Sequence, residues 1–203
     1  MLVALKPLHD TFCVKHINVC TYQAVSGSGK DGVEELLQQS SAYIDQRSID
    51  KKVYPKQIAF NSIPFVDCFL ENNYTREEMK MVWETHKILD ENISVNPTAV
   101  RVPVLVGHAE SIYIETEKEI DIELAKNCLN EFAGISVIDD VQEVNFPTSF
   151  EHGHGTDDVY VGRIRKGLSK NNSLNLWVVA DNVRKGAALN SIQIAENLVG
   201  SEM

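Results

Sequence analysis

The sequence predicts an α+β domain: a mixed, largely antiparallel sheet covered by helices on one face. Three observations lead there. At 203 residues the chain holds one well-buried domain and is too short for two large ones. It is 43% hydrophobic and 24% charged, an ordinary globular balance. Its apolar residues alternate strand and helix early, then fall into several strands with a single helix among them.

The elements follow in order. Met1 to Phe12 reads as a short apolar helix, bent or interrupted at Pro7, with no capping residue before it. His16 to Val25 alternates and is rich in β-branched and aromatic residues, so it is a strand, broken by Ser26-Gly27-Ser28-Gly29. Asp31 to Gln46 is an amphipathic helix with Val33, Leu36, Leu37 and Tyr43 at helical spacing. Gln57 to Asn61 is expected as a short strand after Pro55. Thr75 to Glu91 is a helix that Thr75 can cap, with Glu77 and Glu78 complementing its dipole. Ala99 to Val106 and Ser111 to Glu117 read as neighbouring strands. Asp121 to Phe132 is a helix stopped by Gly134. Ser136 to Asp139, Val159 to Arg165 and Leu174 to Ala180 add three strands, and Gly186 to Leu198 is a closing helix. The polar loop Asn145 to Asp158 is a surface excursion or a partner contact.

Composition removes several function classes. A net charge of −10 disfavours nonspecific binding to nucleic acid or anionic membrane, since both are polyanions. Cys13, Cys20, Cys68 and Cys128 form no C-x-x-C pair, so reduced thiols and a cytoplasmic location are expected. No stretch approaches a transmembrane helix or a signal peptide. His152 and His154 stand in a loop with no ligand partners at suitable spacing, and no metal site is read there.

Three segments can carry chemistry. TYQAVSGSGK (21–30) places a Gly/Ser turn between strand and helix, where backbone N–H groups can face an anion, although spacing alone favours an ordinary strand-to-helix turn. It is not a Walker loop, because Ala24 and Asp31 stand where that loop needs Gly and Ser or Thr. Glu77 and Lys80 share a helical face at i and i+3 and can hold a zwitterionic or phosphorylated ligand, or form a weak surface ion pair. Arg101 can clamp a carboxylate through its fork and His108 can move a proton near neutral pH, or the two are a surface arginine and a loop histidine. Their odd separation puts them on opposite faces of a regular strand, and only a bend at Pro103 or Gly107 brings them into one pocket. Cys20 alternates onto the face opposite Gln23, and Cys128 reads as a buried structural thiol.

Together, TYQAVSGSGK (21–30), REEMKMVWETHKIL (76–89), VRVPVLVGHAES (100–111), VYVGRIR (159–165) and VADNVRKGAALNSIQIAE (179–196) resemble the aspartate-semialdehyde dehydrogenase family across essentially the whole chain. The resemblance implies the dimerisation and substrate domain of a glyceraldehyde-3-phosphate-dehydrogenase-like fold. It also implies NADP-dependent, reversible conversion of aspartyl 4-phosphate to aspartate 4-semialdehyde, on the way to lysine, threonine and methionine. By that resemblance Gln23 orients substrate, Arg101 binds its α-carboxylate, Glu77 its α-amino group and Lys80 its phosphate. His108 is then the acid/base, while Ser26, Gly27 and Asn182 meet the cofactor. Ala99 departs from the family's usual cysteine two residues before the arginine.

The family's nucleophilic cysteine lies in an Asn-Cys-Ser/Thr turn just ahead of a segment like Met1 to Asp10, and no such turn occurs in these residues. The expectation is therefore a fragment, inactive alone, with its G-x-G-x-x-G nucleotide domain missing. Residues 1–12 are expected as a remnant helix of the cofactor domain, 13–182 as the dimerisation and substrate domain, and 183–203 as a helix returning to the cofactor domain. A homodimer or homotetramer joined through the sheet, near Val159–Arg165 and Leu174–Ala180, is the expected assembly. The alternatives are an N-acetyl-glutamyl-phosphate reductase-like enzyme, disfavoured because a free amino group calls for Glu77, and a non-catalytic dimerisation module.

Overall fold

A computed structural model describes residues 1–200 of the 203. Six strands form one sheet in the order β2-β1-β3-β6-β5-β4. They are β1 (Val14–Gln23), β2 (Ser94–Arg101), β3 (His108–Thr116), β4 (Ile135–Val137), β5 (Val159–Lys166) and β6 (Ser173–Ala180). Pairs β1–β2 and β4–β5 are parallel and the other three antiparallel, which makes the sheet mixed and largely antiparallel as expected.

One face of the sheet makes the main core. Ile17 and Val19 of β1, Ile112 and Ile114 of β3, and Leu174, Leu176 and Val178 of β6 all point there at period two. Helix α1 (Leu2–Phe12) lays Ala4, Leu5, Leu8 and Phe12 on them, and α4 (Ile122–Asn130) adds Ala125 and Leu129. Helix α1 runs unbroken through Pro7 and ends at Cys13, whose left-handed backbone (φ 60°) turns the chain into β1. The opposite face carries half-buried His16, Asn18, Cys20 and Tyr22 in a row, and Tyr22 meets Trp177 at 5.4 Å between ring centroids. The loop expected over 145–158 folds back on that face, where the Trp177 indole donates to the Pro147 carbonyl (3.1 Å).

Helix α3 (Arg76–Ile88) begins with a capping box: Glu78 N–H donates to Thr75 Oγ1 and Thr75 N–H to Glu78 Oε2 (2.7 Å). The second Glu78 oxygen accepts from Ala99 N–H (3.0 Å), which ties the helix start to β2.

A smaller second core sits beyond the end of β1. Leu36 of α2 (Gly29–Ile44) meets Val25, Tyr54, Ile58, Ala59 and Ile63 there. Leu37 and Tyr43, expected on the apolar face, are instead more than half exposed, because α2 touches this small cluster through a narrow stripe only. The strand expected at 57–61 is absent. Buried Gln39 satisfies that backbone, its Oε1 accepting from Ile58 N–H (2.9 Å) and Ala59 N–H (3.2 Å), so no ladder is needed. Glu35, also buried, accepts from Lys52 N–H (2.9 Å) and from the amides of Val53 and Tyr54.

At the other terminus a π-helical turn (Arg184–Ala188) leads into α5 (Leu189–Gly200), on which no residue is buried. No described helix is long and apolar enough to cross a membrane.

Candidate functional site

The Arg101–His108 segment is not one bent strand, and its two flanking strands are not neighbours. Strand β2 ends at Arg101, β3 begins at His108, and β1 lies between them. Residues 102–107 cross over the end of β1. Val102 N–H donates to Gln23 O (3.0 Å), Val25 N–H to Val104 O (2.9 Å) and Ser26 N–H to Leu105 O (3.1 Å). Gly107 completes the crossing with φ +83°, and a Cβ there would lie 2.5 Å from the Ser149 carbonyl.

Register now removes the parity problem. Arg101 pairs with Gln23, and one step beyond the Tyr22–Ala109 pair Gln23 also faces His108. Arg101, Gln23 and His108 thus form one row across three strands, on the helix-covered side. The peptide of Ala24 joins the two outer members: its carbonyl accepts from Arg101 Nη1 (2.7 Å) and its N–H donates to His108 Nδ1 (3.1 Å). A Cβ on Gly27 would stand 2.9 Å from Arg101 Nη1 and 3.4 Å from His108 Nε2, so both groups border one small space.

Helix α3 supplies the rest. Gln23 Nε2 donates to Glu77 Oε1 (3.2 Å), and Lys80 Nζ reaches Glu77 Oε2 (3.0 Å). The polar row runs from buried to open: Arg101 and Gln23 are each 6% exposed, the side chain of Glu77 26% and that of Lys80 50%. A ligand with a carboxylate at the buried end, an amine beside Glu77 and an anion at the open end matches this order.

Electrostatics set His108 and Arg101 apart. Burial first, then the Arg101 charge, lowers the His108 pKa to about 4, with Glu77 and Asp181 opposing. Its imidazole is therefore neutral near pH 7. Because Nδ1 accepts the Ala24 N–H, the hydrogen-bond network assigns the proton to Nε2, facing Gly27. Burial also pushes the Arg101 guanidinium down, while Tyr54 and Glu77 oppose it, and a guanidinium remains charged. Lys80 is held up by its hydrogen bond to Glu77.

Comparison with known proteins decides the family. Residues 5–185 match the family described as semialdehyde dehydrogenase, dimerisation domain. The chain belongs to the semialdehyde dehydrogenase family. It is 56% identical over 200 residues to an aspartate-semialdehyde dehydrogenase of Shewanella violacea, covering 98% of this chain and 59% of that protein. A Legionella pneumophila relative of the same name is 51% identical over 199 residues, covering 98% and 57%. The crystal structure of aspartate semialdehyde dehydrogenase II of Vibrio cholerae, complexed with ASA, superimposes with a TM-score of 0.96 at 49% identity, covering 100% of this chain and 60% of that one. The chain spans about three-fifths of the length of these relatives, in their C-terminal portion.

Within this semialdehyde dehydrogenase domain the remaining predicted residues meet on the other flank of the row. Ser26 Oγ donates to Asn182 Oδ1 (3.0 Å), and Gly107 N–H donates to the same oxygen (3.1 Å). With Oδ1 accepting both bonds, the Asn182 amide nitrogen is the group's remaining donor. Asp181, 3% exposed, builds this turn by accepting from Val183 N–H (2.8 Å), Arg184 N–H (2.9 Å) and Gly155 N–H (2.8 Å). Burial alone would raise its pKa, yet those three donors hold it below the usual carboxylate range. Sequence reasoning missed Asp181, though an Asp just before a helical turn is a recognisable signal for such N–H capture. It also missed Tyr54, Glu35 and the Ala24 peptide, for which no local pattern exists.

The thiols lie elsewhere. Cys13 is at the far end of β1, Cys20 faces the opposite side of the sheet from Gln23, Cys68 sits in the turn before α3, and Cys128 is on α4. Cys128 is half-buried rather than buried, with its pKa raised by desolvation.

Proposed function

We propose that this chain is the substrate-binding and dimerising part of an aspartate-semialdehyde dehydrogenase. The reaction is the reversible conversion of aspartate 4-semialdehyde, phosphate and NADP⁺ to aspartyl 4-phosphate and NADPH. The observation that carries the reading is the row Arg101–Gln23–His108 with Glu77 and Lys80 continuing it outward.

Arg101, pinned through one Nη to Ala24, presents its other edge to the substrate α-carboxylate. Glu77 accepts from the α-ammonium, and its presence favours a free amino acid over an N-acetylated one. Lys80, at the open end, takes phosphate as a point charge. Gln23 stands between the two and orients the reacting end. His108 holds a proton at Nε2 and gives it to, or takes it from, the oxygen that changes charge.

NADP fits the other flank: Asn182 offers an amide donor, and Gly27 has no side chain to bar a flat ring. The cofactor when bound supplies two-electron redox chemistry. Ser26 orients Asn182, and Gly27 keeps the approach to His108 open. None of the four thiols stands beside His108, so the 203 residues alone are proposed to bind substrate without turning it over.

Residues 13–182 form the proposed substrate and dimerisation unit. Residues 1–12 join it to the cofactor-binding part while packing on its sheet. Residues 183–200 return there, α5 offering exposed Ile192, Ile194 and Val199, while 201–203, also expected in this helix, lie outside the described residues. Two copies, in a homodimer or homotetramer, are proposed to pair through the half-buried face bearing Tyr22, Tyr113 and Trp177. A cytoplasmic location agrees with four free cysteines.

The test is a chimera carrying the preceding portion of the Shewanella relative ahead of this chain. NADP-dependent, phosphate-dependent oxidation of aspartate 4-semialdehyde is expected. Preference for the N-acetyl-glutamyl analogue, or folding to a dimer without either activity, overturns the reading.

A further inference from the structure

The small second core has an order of parts that suits one task. Glu35 gathers the amides of Lys52, Val53 and Tyr54 and so fixes the backbone that carries the Tyr54 side chain. The Tyr54 ring is 9% exposed and lies with its centroid 6.0 Å from the Arg101 guanidinium carbon. Its hydroxyl reaches the Val25 carbonyl (3.5 Å). Gly32 makes room for this: a Cβ there would stand 2.7 Å from the Tyr54 hydroxyl and 2.8 Å from the Val25 carbonyl oxygen. The Arg101 backbone is held from the same side, exchanging N–H and C=O bonds with Ile63 (2.8 and 2.9 Å).

Arg101 is therefore gripped at its backbone by Ile63 and at one nitrogen by Ala24, and its guanidinium carbon stands over the Tyr54 ring. A guanidinium so held loses little further freedom on meeting a carboxylate, whereas a free arginine must be ordered first. From this we infer that Tyr54 is a positioning residue for Arg101, and that the second core exists to aim the guanidinium at the substrate carboxylate. This rests on the reading of Arg101 as the carboxylate clamp. Tyr54 itself touches no substrate.

Kinetics of the chimera, with Tyr54→Phe, Tyr54→Leu, Arg101→Lys and the double variant Tyr54→Leu/Arg101→Lys, test it. Tyr54→Phe keeps the ring and should leave KM within about twofold. Tyr54→Leu should raise KM for aspartate 4-semialdehyde about tenfold with kcat within about twofold, since a face contact of this kind is lost. In the Arg101→Lys background the leucine change should add nothing, because lysine has no bidentate fork for the ring to aim. Unchanged KM in Tyr54→Leu, or full additivity in the double variant, overturns the inference while leaving the clamp intact. Unchanged KM in Arg101→Lys overturns the clamp reading itself. Should Tyr54→Leu not fold, Tyr54→Met decides by the same KM comparison. Alongside, the Arg101 Nε–H resonance of the 203-residue chain should move on Tyr54→Leu and not on Tyr54→Phe, a ring-current effect that general destabilisation does not produce. No movement counts against the inference.

Discussion

The two cores of this molecule are built on different principles. The main core is a wide apolar layer in which α1 and α4 cover the sheet, and every strand but β2 contributes a buried apolar residue to it, β2 adding half-buried Val95. The second core gathers six buried residues around two buried polar side chains, Glu35 and Gln39, which bind the backbone of 50–59 directly. The first gains its stability from area removed from water, which is tolerant of detail. The second depends on hydrogen bonds whose loss strands buried donors. The candidate site lies on the seam, with Gln23 and His108 on the sheet of the first and Arg101 backed by the second.

The comparison breaks most visibly at Leu8, fully buried under the sheet. Leu8→Ala should cost about 3–4 kcal/mol in urea unfolding, the usual toll of a core cavity. A cost as small as that of a surface change would show that α1 is not part of the main core.

Next comes the seam. The His108 pKa is depressed to about 4 from an ordinary 6.5. The unfolded chain then binds more protons than the folded one between those values, so stability is lost as pH falls from about 6.5 toward 4. The loss should be on the order of 3 kcal/mol, and His108→Asn should flatten it. Unfolding curves at pH 7 and pH 4.5 measure this. An NMR titration of the ring near 6.5 would contradict it.

For the second core, Glu35→Ala should cost about 2 kcal/mol by leaving buried amides unpaired. Amide exchange should rise over 50–59 while the amides of β1 and β3 stay protected. Uniform loss of protection would mean that the two cores are one cooperative unit. The smallest effect is expected at the start of α3, where Thr75→Ala removes a capping hydroxyl and should cost about 1 kcal/mol. Its readout is thermal unfolding together with a modest rise in KM, since Glu77 and Lys80 lie in that first turn and the one after it.

Much of the main core was legible because period-two alternation and helical spacing are local signals. The strands from Val14, Val159 and Ser173, the Thr75 cap and the α4 helix were all found within a few residues of their positions. The second core was misread where a side chain does the work of a strand. Nothing near residues 57–61 announces that Gln39, about twenty positions earlier, will bind their amides. The exposed Leu37 and Tyr43 were misplaced for a different reason, since spacing shows an apolar stripe and not how much partner surface exists to cover it.

The candidate site shows the division most sharply. The sequence alone determined the residue types (a guanidinium, an imidazole, an amide and a carboxylate–lysine pair), because their chemistry and the family's motifs are written in the chain. It also determined that Cys20 and Gln23 face apart, since two residues separated by an odd number along one strand must. Only the tertiary structure decided that Arg101 and His108 face the same space. Their separation along the chain argues against it, but β1 inserts between their strands and pairs with both, and side chains opposite one another across a ladder share a face whatever their distance in sequence.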